Sequence, residues 1–364
     1  MATRASLGNL IRIAPLQLSE LPNHPALARL EAGSSNGIRT NAGFSASNLS
    51  PQAPKSVSTG DENERQRPAL LVFIKAVLDE AAIFVDDIMP NTFKESGEKA
   101  SIPAAAKVKL LKRDIGGPEL SRVPWATSTI SRNPPKAVGK SREAWFARRS
   151  RHANRSDQGT ADFPEFDDGL RVNHSEHERD YTPDVYDAYR VLDWDSETVK
   201  HDFAISSYSE IHMSIYEMCH KLPFPLSPRV FPALVLTAKT GRHSLVVVQI
   251  PINIESLPEA FYSNGRNRGE GDSALKKKTP VLGVYTSIEC CRMLPDLNIE
   301  WTMATASDAK GWLPMWAQKL GVPGAVVKDV GLFVKWVSEH RSASDYEPAS
   351  GAQPGMGPQP GMSS

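Results

Sequence analysis

The most regular pattern of apolar and polar positions lies between Thr279 and Arg341. Val281 to Arg292 alternates with a period of two: Leu282, Val284, Thr286, Ile288 and Cys290 fall on one face, Gly283, Tyr285, Ser287, Glu289 and Cys291 on the other. Neither set is simply polar, which predicts a strand with protein or an enclosed space on both sides. Asn298 to Thr305 predicts an adjacent strand, and Ser307 to Gly311 a cap and turn. From Pro323 the period becomes helical, with Val326, Val327, Val330, Phe333, Val334 and Val337 forming one apolar stripe opposite Lys328, Lys335 and Glu339. Pro323 and Gly324 suit the start of such a helix, and Ser338 to Arg341 its polar end. Six side chains buried at about 1.5 to 3 kcal/mol each give on the order of 10 kcal/mol gross, so this helix belongs to the fold.

Upstream, Leu70, Phe73, Ile74, Val77, Leu78, Ala81, Phe84, Val85 and Ile88 recur at helical spacing and predict an amphipathic helix over Ala69 to Met89, laid on the sheet. Ile102 to Arg113 reads as a second short helix, ended by Gly116-Gly-Pro118. Trp145 to His152 and Leu170 to Asp180 alternate as strands, yet both carry polar groups on both faces. Either these are edge strands in solvent or one polar row points into a cavity. Tyr181 to Leu192 reads as a short helix starting at Thr182 and Pro183. Strands are predicted over Asp202 to Tyr208, Glu210 to His220, Phe231 to Lys239 and Ser244 to Ile250, with a proline-rich corner before Arg229. Ser256 to Lys278 is a long connection of the kind that is functional or disordered.

The strings Gly283-Val-Tyr-Thr-Ser-Ile-Glu289, Ile299-Glu-Trp-Thr-Met-Ala-Thr305, Ser307-Asp-Ala-Lys-Gly311 and Leu313-Pro-Met-Trp316 resemble the C-terminal half of START-like lipid-binding domains. The likeness runs upstream through Tyr181-Thr-Pro-Asp-Val-Tyr186, Leu192-Asp-Trp194, Ile215-Tyr-Glu-Met-Cys-His220 and Pro225-Leu-Ser-Pro-Arg-Val-Phe231. Over roughly residues 68 to 341 the chain resembles a fungal START-like family of the Bet v 1-like superfamily, domain of unknown function 3074. The resemblance implies an α+β helix-grip fold: a curved antiparallel sheet wrapped around a long C-terminal helix, with an internal cavity and an N-terminal helix. It also implies a lipid or other apolar small molecule as partner.

Residues 1-60 read as an N-terminal arm and flexible linker, 61-341 as the domain, and 342-364 as a disordered tail of Pro, Gly, Ser and Met. Within the arm, Met1 to Ser19 carries Arg4 and Arg12 and no acid, the charge pattern of a mitochondrial presequence, although Pro15 interrupts it. The other reading is a short helix or extended arm, Leu7 to Leu18, packed on the domain. Lys plus Arg and Asp plus Glu each number 42, so no global field favours nucleic acid. Three cysteines, with Cys290 and Cys291 adjacent, give neither a disulfide framework nor a zinc spacing. No run of about 18 apolar residues occurs, and a reduced cytoplasmic chain is expected.

Candidate chemistry is sparse, and no cofactor or metal is expected. His174 and His177 flank Glu176, but three-residue spacing on a strand sends them to opposite faces, against a shared metal. Gly265 to Gly271 is glycine-rich without the Lys-Ser/Thr of a phosphate loop, and no Gly-x-Ser-x-Gly elbow occurs. What remains is a set of charges on otherwise apolar elements, Arg148, Arg229, Glu289 and Glu300, each needing a partner or a bound polar group if buried. Ligand contact is therefore assigned to Arg148, His152, His174, Tyr216, Arg229, Glu289, Trp301 and Phe333. Phe261, Tyr262, Lys276, Lys277 and Lys278 are assigned to docking on an anionic membrane surface. A non-catalytic carrier or sensor is the first expectation. A cyclase or dehydratase using His152, His174 and Tyr216 as acid or base is the second, and an interaction module with a vestigial cavity the third.

Overall fold

Ten strands form one sheet in the computed structural model, which describes residues 6–28, 67–127, 130, 132, 134, 138–195, 207–222, 224, 226–263, 280–308 and 315–344. The strands are β1 (Lys94–Ser101), β2 (Ala104–Ile115), β3 (Glu143–His152), β4 (Val185–Asp193), β5 (Ser209–His220), β6 (Arg229–Gly241), β7 (Ser244–Pro251), β8 (Val281–Leu282), β9 (Val284–Met293) and β10 (Ile299–Asp308). Their order is β1-β2-β3-β10-β9-β7-β6-β5-β4, every neighbour antiparallel, with β8 added in parallel to β6. The helices are α1 (Leu70–Ile83), continued by a π segment Phe84–Ile88 into α2 (Met89–Thr92), then α3 (Gly117–Leu120), α4 (Phe163–Leu170), α5 (His174–Tyr181) and α6 (Met315–Ser344).

Helices cover both faces of this curved sheet. On the outer face α1 and the N-terminal arm bury Phe73, Ile74, Val77, Leu7, Ile11 and Leu16 against Ile215, Leu236, Val248 and Ile288. On the inner face α4, α5 and α6 bury Phe166, Leu170, Tyr181, Val330, Phe333 and Val337 against Val108, Val247, Cys291 and Trp301. This two-sided burial is why the alternation in β9 shows no solvent face: Ile288 and Cys290 meet the outer layer, Glu289 and Cys291 the inner one. The architecture is thus the expected helix-grip, with the apolar stripe of α6 turned to the sheet. The arm is extended and packed. Leu16 pairs with Ile252, Glu80 accepts the amides of Leu10 and Ile11 at 2.9 and 2.8 Å, and Arg12 meets Glu143 at 2.9 Å.

Four local expectations are corrected. Residues 102–113, read as a helix, form the hairpin strand β2, paired with β1 and β3. Ala, Lys and Leu favour a helix by only tenths of a kcal/mol each, and ladder pairing with burial of Val108, Leu110 and Leu111 outweighs that preference. Residues 170–180, read as a strand, belong to α4 and α5, separated by Asn173 in the left-handed region at φ 44. The overlooked signal is Asp162 with Glu165, a capping box in which each side chain accepts the other's amide. Residues 181–192, read as a helix, hold β4, because Thr182 closes α5 instead of opening a new helix. Finally α6 starts earlier than Pro323, which lies inside it. The buried stripe from Val326 to Val337 outweighs the one backbone bond that the proline gives up. The predicted linker over Gly33 to Gly60, the C-terminal tail and most of the strand Asp202 to Tyr208 lie outside the described residues.

Candidate functional site

The inner face of β3, β10 and β9 carries a buried charge pair. Arg148 of β3 and Glu289 of β9 both stand opposite Met303 of the strand between them. Their long side chains bridge that strand, and Arg148 Nη2 donates to Glu289 Oε1 at 2.9 Å. Trp301 Nε1 donates to the same oxygen at 2.8 Å, and the guanidinium lies 3.9 Å from the Trp301 ring centroid. A buried ion pair is tolerable only when its remaining donors and acceptors are satisfied. Here Arg148, 1% exposed, keeps Nε and Nη1 without a partner.

One end of this face is filled. His152 packs its ring on Phe166 and Trp301, with centroids at 5.2 and 6.1 Å, and Phe333 of α6 lies 5.0 to 5.1 Å from Trp301 and Phe166. Burial, with the Arg148 charge second, pushes the His152 pKa down to about 4, so the imidazole is neutral, and its Nε2 lies 2.8 Å from Ser150 Oγ. Tyr285, Met303, Val322 and Leu332 pack on the same cluster yet stay only partly buried.

A second polar group comes from the helices. His174 of α5 donates Nδ1–H to the Leu170 carbonyl at 2.7 Å, so Nε2 accepts from the Gln249 amide of β7 at 2.8 Å. One turn on, Glu178 Oε2 lies 3.7 Å from His174 Nε2. Burial, then the charges of Asp329 and Glu289, raise the Glu178 pKa to about 8. Burial likewise raises Asp329 of α6 to about 6, with the Arg148 charge opposing. Glu178 nevertheless keeps 24% of its side-chain surface free. The Tyr285 hydroxyl, raised by burial and by the Glu178 charge, has no partner either.

Five of the eight expected ligand residues therefore come together: Arg148, His152, Glu289, Trp301 and Phe333. His174 joins them through Gln249 and Glu178. Tyr216 stands apart, its hydroxyl donating to Glu176 at 2.7 Å and accepting from Arg190 at 2.7 Å, beside a 110 Å³ cavity that His174 also lines. Arg229 is the first residue of β6 and donates to the carbonyls of Ser227 and Pro228 in the corner before it. Glu300 is on the outer face instead, paired there with Arg292 at 2.9 Å, because its neighbour Trp301 takes the inner position. Tyr262 is buried and Phe261 half-buried; Phe261 packs tilted and Tyr262 edge-on against Tyr189, their amides donate to Glu217, and the Tyr262 hydroxyl bonds Asp187. Lys276, Lys277 and Lys278 lie outside the described residues. The strand argument against a His174–His177 metal site falls, since both are on a helix; among the described residues no group of three His, Cys, Asp or Glu could hold a metal.

Sequence reading missed Glu178, Gln249, Tyr285 and Asp329. Asp329 was legible, since it sits at helical spacing between Val326 and Phe333 on the apolar stripe. Glu178 was hidden by the strand assignment. A cleft of about 1200 Å³ also lies on the outer face, lined by Leu7, Ile88, Phe93, Arg113 and Trp145 among others, and holds none of the expected residues.

The family described as Protein of unknown function (DUF3074) matches residues 145–337, from β3 to the last buried turn of α6. No curated protein matches the chain. Among solved structures it is similar to human STARD10, with 10% identity, 81% of this chain and 86% of that one covered and a TM-score of 0.44. Human StAR-related lipid transfer protein 5 gives 12% identity, 74% and 96% coverage and a TM-score of 0.46. The STAR-related lipid transfer protein of Xanthomonas axonopodis gives 12%, 69% and 98%, and 0.37. These likenesses are distant, and the helix-grip description stands on the strand order and packed helices of this chain.

Proposed function

This chain belongs to the DUF3074 family, and we propose that it binds a lipid or other hydrophobic small molecule between the inner face of its sheet and α6, without catalysing a reaction on it. One observation carries this reading. The Arg148 Nε and Nη1 atoms and the Tyr285 hydroxyl are buried without a hydrogen-bond partner, in a layer whose apolar residues Met303 of β10 and Val322 and Leu332 of α6 keep free surface. Unsatisfied buried donors are costly, and a ligand with a polar end against them and a hydrocarbon body along the apolar wall removes that cost. Carriage or sensing follows from such binding, with transient docking to anionic membrane through Lys276, Lys277 and Lys278. Phe261 and Tyr262 anchor the start of that connection.

Native mass spectrometry of the purified chain, followed by lipid identification, tests the reading. One tightly retained apolar molecule per chain is expected. Protein that is consistently empty and takes up no lipid from vesicles overturns it and favours an interaction module with a vestigial cavity.

One observation favours the enzyme reading: His174 lies 3.7 Å from Glu178, whose carboxyl is held protonated at neutral pH. Against it, both His174 nitrogens are engaged and His152 is enclosed by aromatic rings. Recovery of a chemically altered ligand from the protein would decide for catalysis.

A further inference from the structure

We infer that the polar end of this interior receives a cationic head group, that of an amine-bearing amphiphile, between Glu178 of α5 and Asp329 of α6. The inference rests on the ligand-binding reading above and assigns the chemistry of that ligand. Among the described residues the carboxyls of Glu178, Glu289 and Asp329 interact here, with exposed Asp184 adding its negative charge, against one guanidinium, that of Arg148. Glu289 is taken by Arg148 and Trp301. Glu178 and Asp329 are left without a cation.

His174 does not supply the missing charge. Its Nδ1–H is committed to a carbonyl, its Nε2 accepts from Gln249, and burial lowers its pKa. Gln249 is a separate sign of a missing donor. It sits on β7, 4% exposed, with its amide nitrogen on His174 and its carbonyl oxygen without a partner. Glu178 Oε2 is likewise buried with no donor at full hydrogen-bond geometry, only the Gln249 amide approaching it. An ammonium brings three donors and one positive charge, which answers these acceptors and the unbalanced carboxyls together. A fatty carboxylate would add negative charge where negative charge is already suppressed. A hydroxyl or carbonyl beside the amine would meet the open donors of Arg148 and Tyr285.

The test compares dodecylamine, dodecanol and dodecanoate, below their micellar limits, by calorimetric titration into the full chain at neutral pH. Dodecylamine is expected to bind on the order of tenfold or more tighter than dodecanol, with dodecanoate weakest. Its binding should release about one proton, read from titrations in buffers of different ionisation heat, as the protonated Glu178 gives up its proton to pair with the ammonium. Glu178→Gln with Asp329→Asn should remove the preference of dodecylamine over dodecanol and abolish the proton release. If that double variant does not fold, Asp329→Asn alone should lower the amine preference severalfold. Equal binding of all three in the native chain overturns the head-group inference and leaves the ligand-binding reading standing. Failure of all three to bind, and to displace an apolar fluorescent dye, overturns both.

Discussion

Arg148 and Glu289 stand two strands apart, each in register with Met303, and meet at 2.9 Å beside the Trp301 ring. Their position joins the fold to the proposed function, because the pair spans the middle of the gripped face and leaves two guanidinium nitrogens for something else.

Replacing Arg148 by Met should strip Glu289 of its counter-charge and cost about 3 to 5 kcal/mol. Removing both charges, Arg148→Met with Glu289→Leu, should recover most of that loss, since an apolar pair of similar volume carries no desolvation cost. Glu300→Gln on the outer face should cost about 1 kcal/mol or less. Denaturant midpoints check all three. A double variant no more stable than the single one would mean that the pair is not isolated from other charges.

Phe333 contacts Phe166, Tyr181, Trp301 and Trp336 and has no exposed surface. Phe333→Ala should lower stability by about 3 to 5 kcal/mol, and a bound amphiphile should restore part of it by mass action. Lys335→Ala, on the exposed face of α6, should stay within about 0.5 kcal/mol. Thermal unfolding with and without ligand is the measurement. Similar losses from both substitutions would mean that the sheet does not grip α6.

Stability of the ligand-free chain should fall as pH rises from 6.5 to 8. The Glu178 carboxyl, raised from 4.5 to about 8, is protonated in the folded chain and ionised in the unfolded one, so its contribution is present at low pH and fades as pH climbs through 8. Asp329 acts in the same sense between 3.8 and about 6. His152 and His220, lowered from 6.5 to about 4, act oppositely and only below this window. Asp329, Glu289, His174 and Gln249 surround Glu178, and Glu178→Gln should flatten the slope between pH 6.5 and 8. Parallel melting curves for the native chain and the variant would assign the slope elsewhere.

If Lys276, Lys277 and Lys278 meet anionic head groups, vesicle binding should weaken with rising salt and vanish when all three are glutamate. Flotation with anionic and neutral vesicles reads both effects. Unchanged binding by the triple variant removes these lysines from the mechanism.

The sequence by itself determined the elements whose burial repeats at a fixed period. The stripe Val326 to Val337, the spacing from Leu70 to Ile88 and the two-faced alternation around Glu289 each encode which side meets protein. It also singled out Arg148 and Glu289, because a charge on an apolar strand needs a partner wherever it folds. It did not determine β2, α4, α5 or β4, whose polar or alanine-rich patterns suit either state and were settled by pairing with distant strands and by the Asp162–Glu165 cap. Only the tertiary structure decided that Glu178 and Asp329, far apart in the chain on separate helices, would come close enough for the charge of one to act on the other. Desolvation acts on a carboxyl through everything packed around it, and that environment is a property of the assembled layers, not of neighbours in sequence.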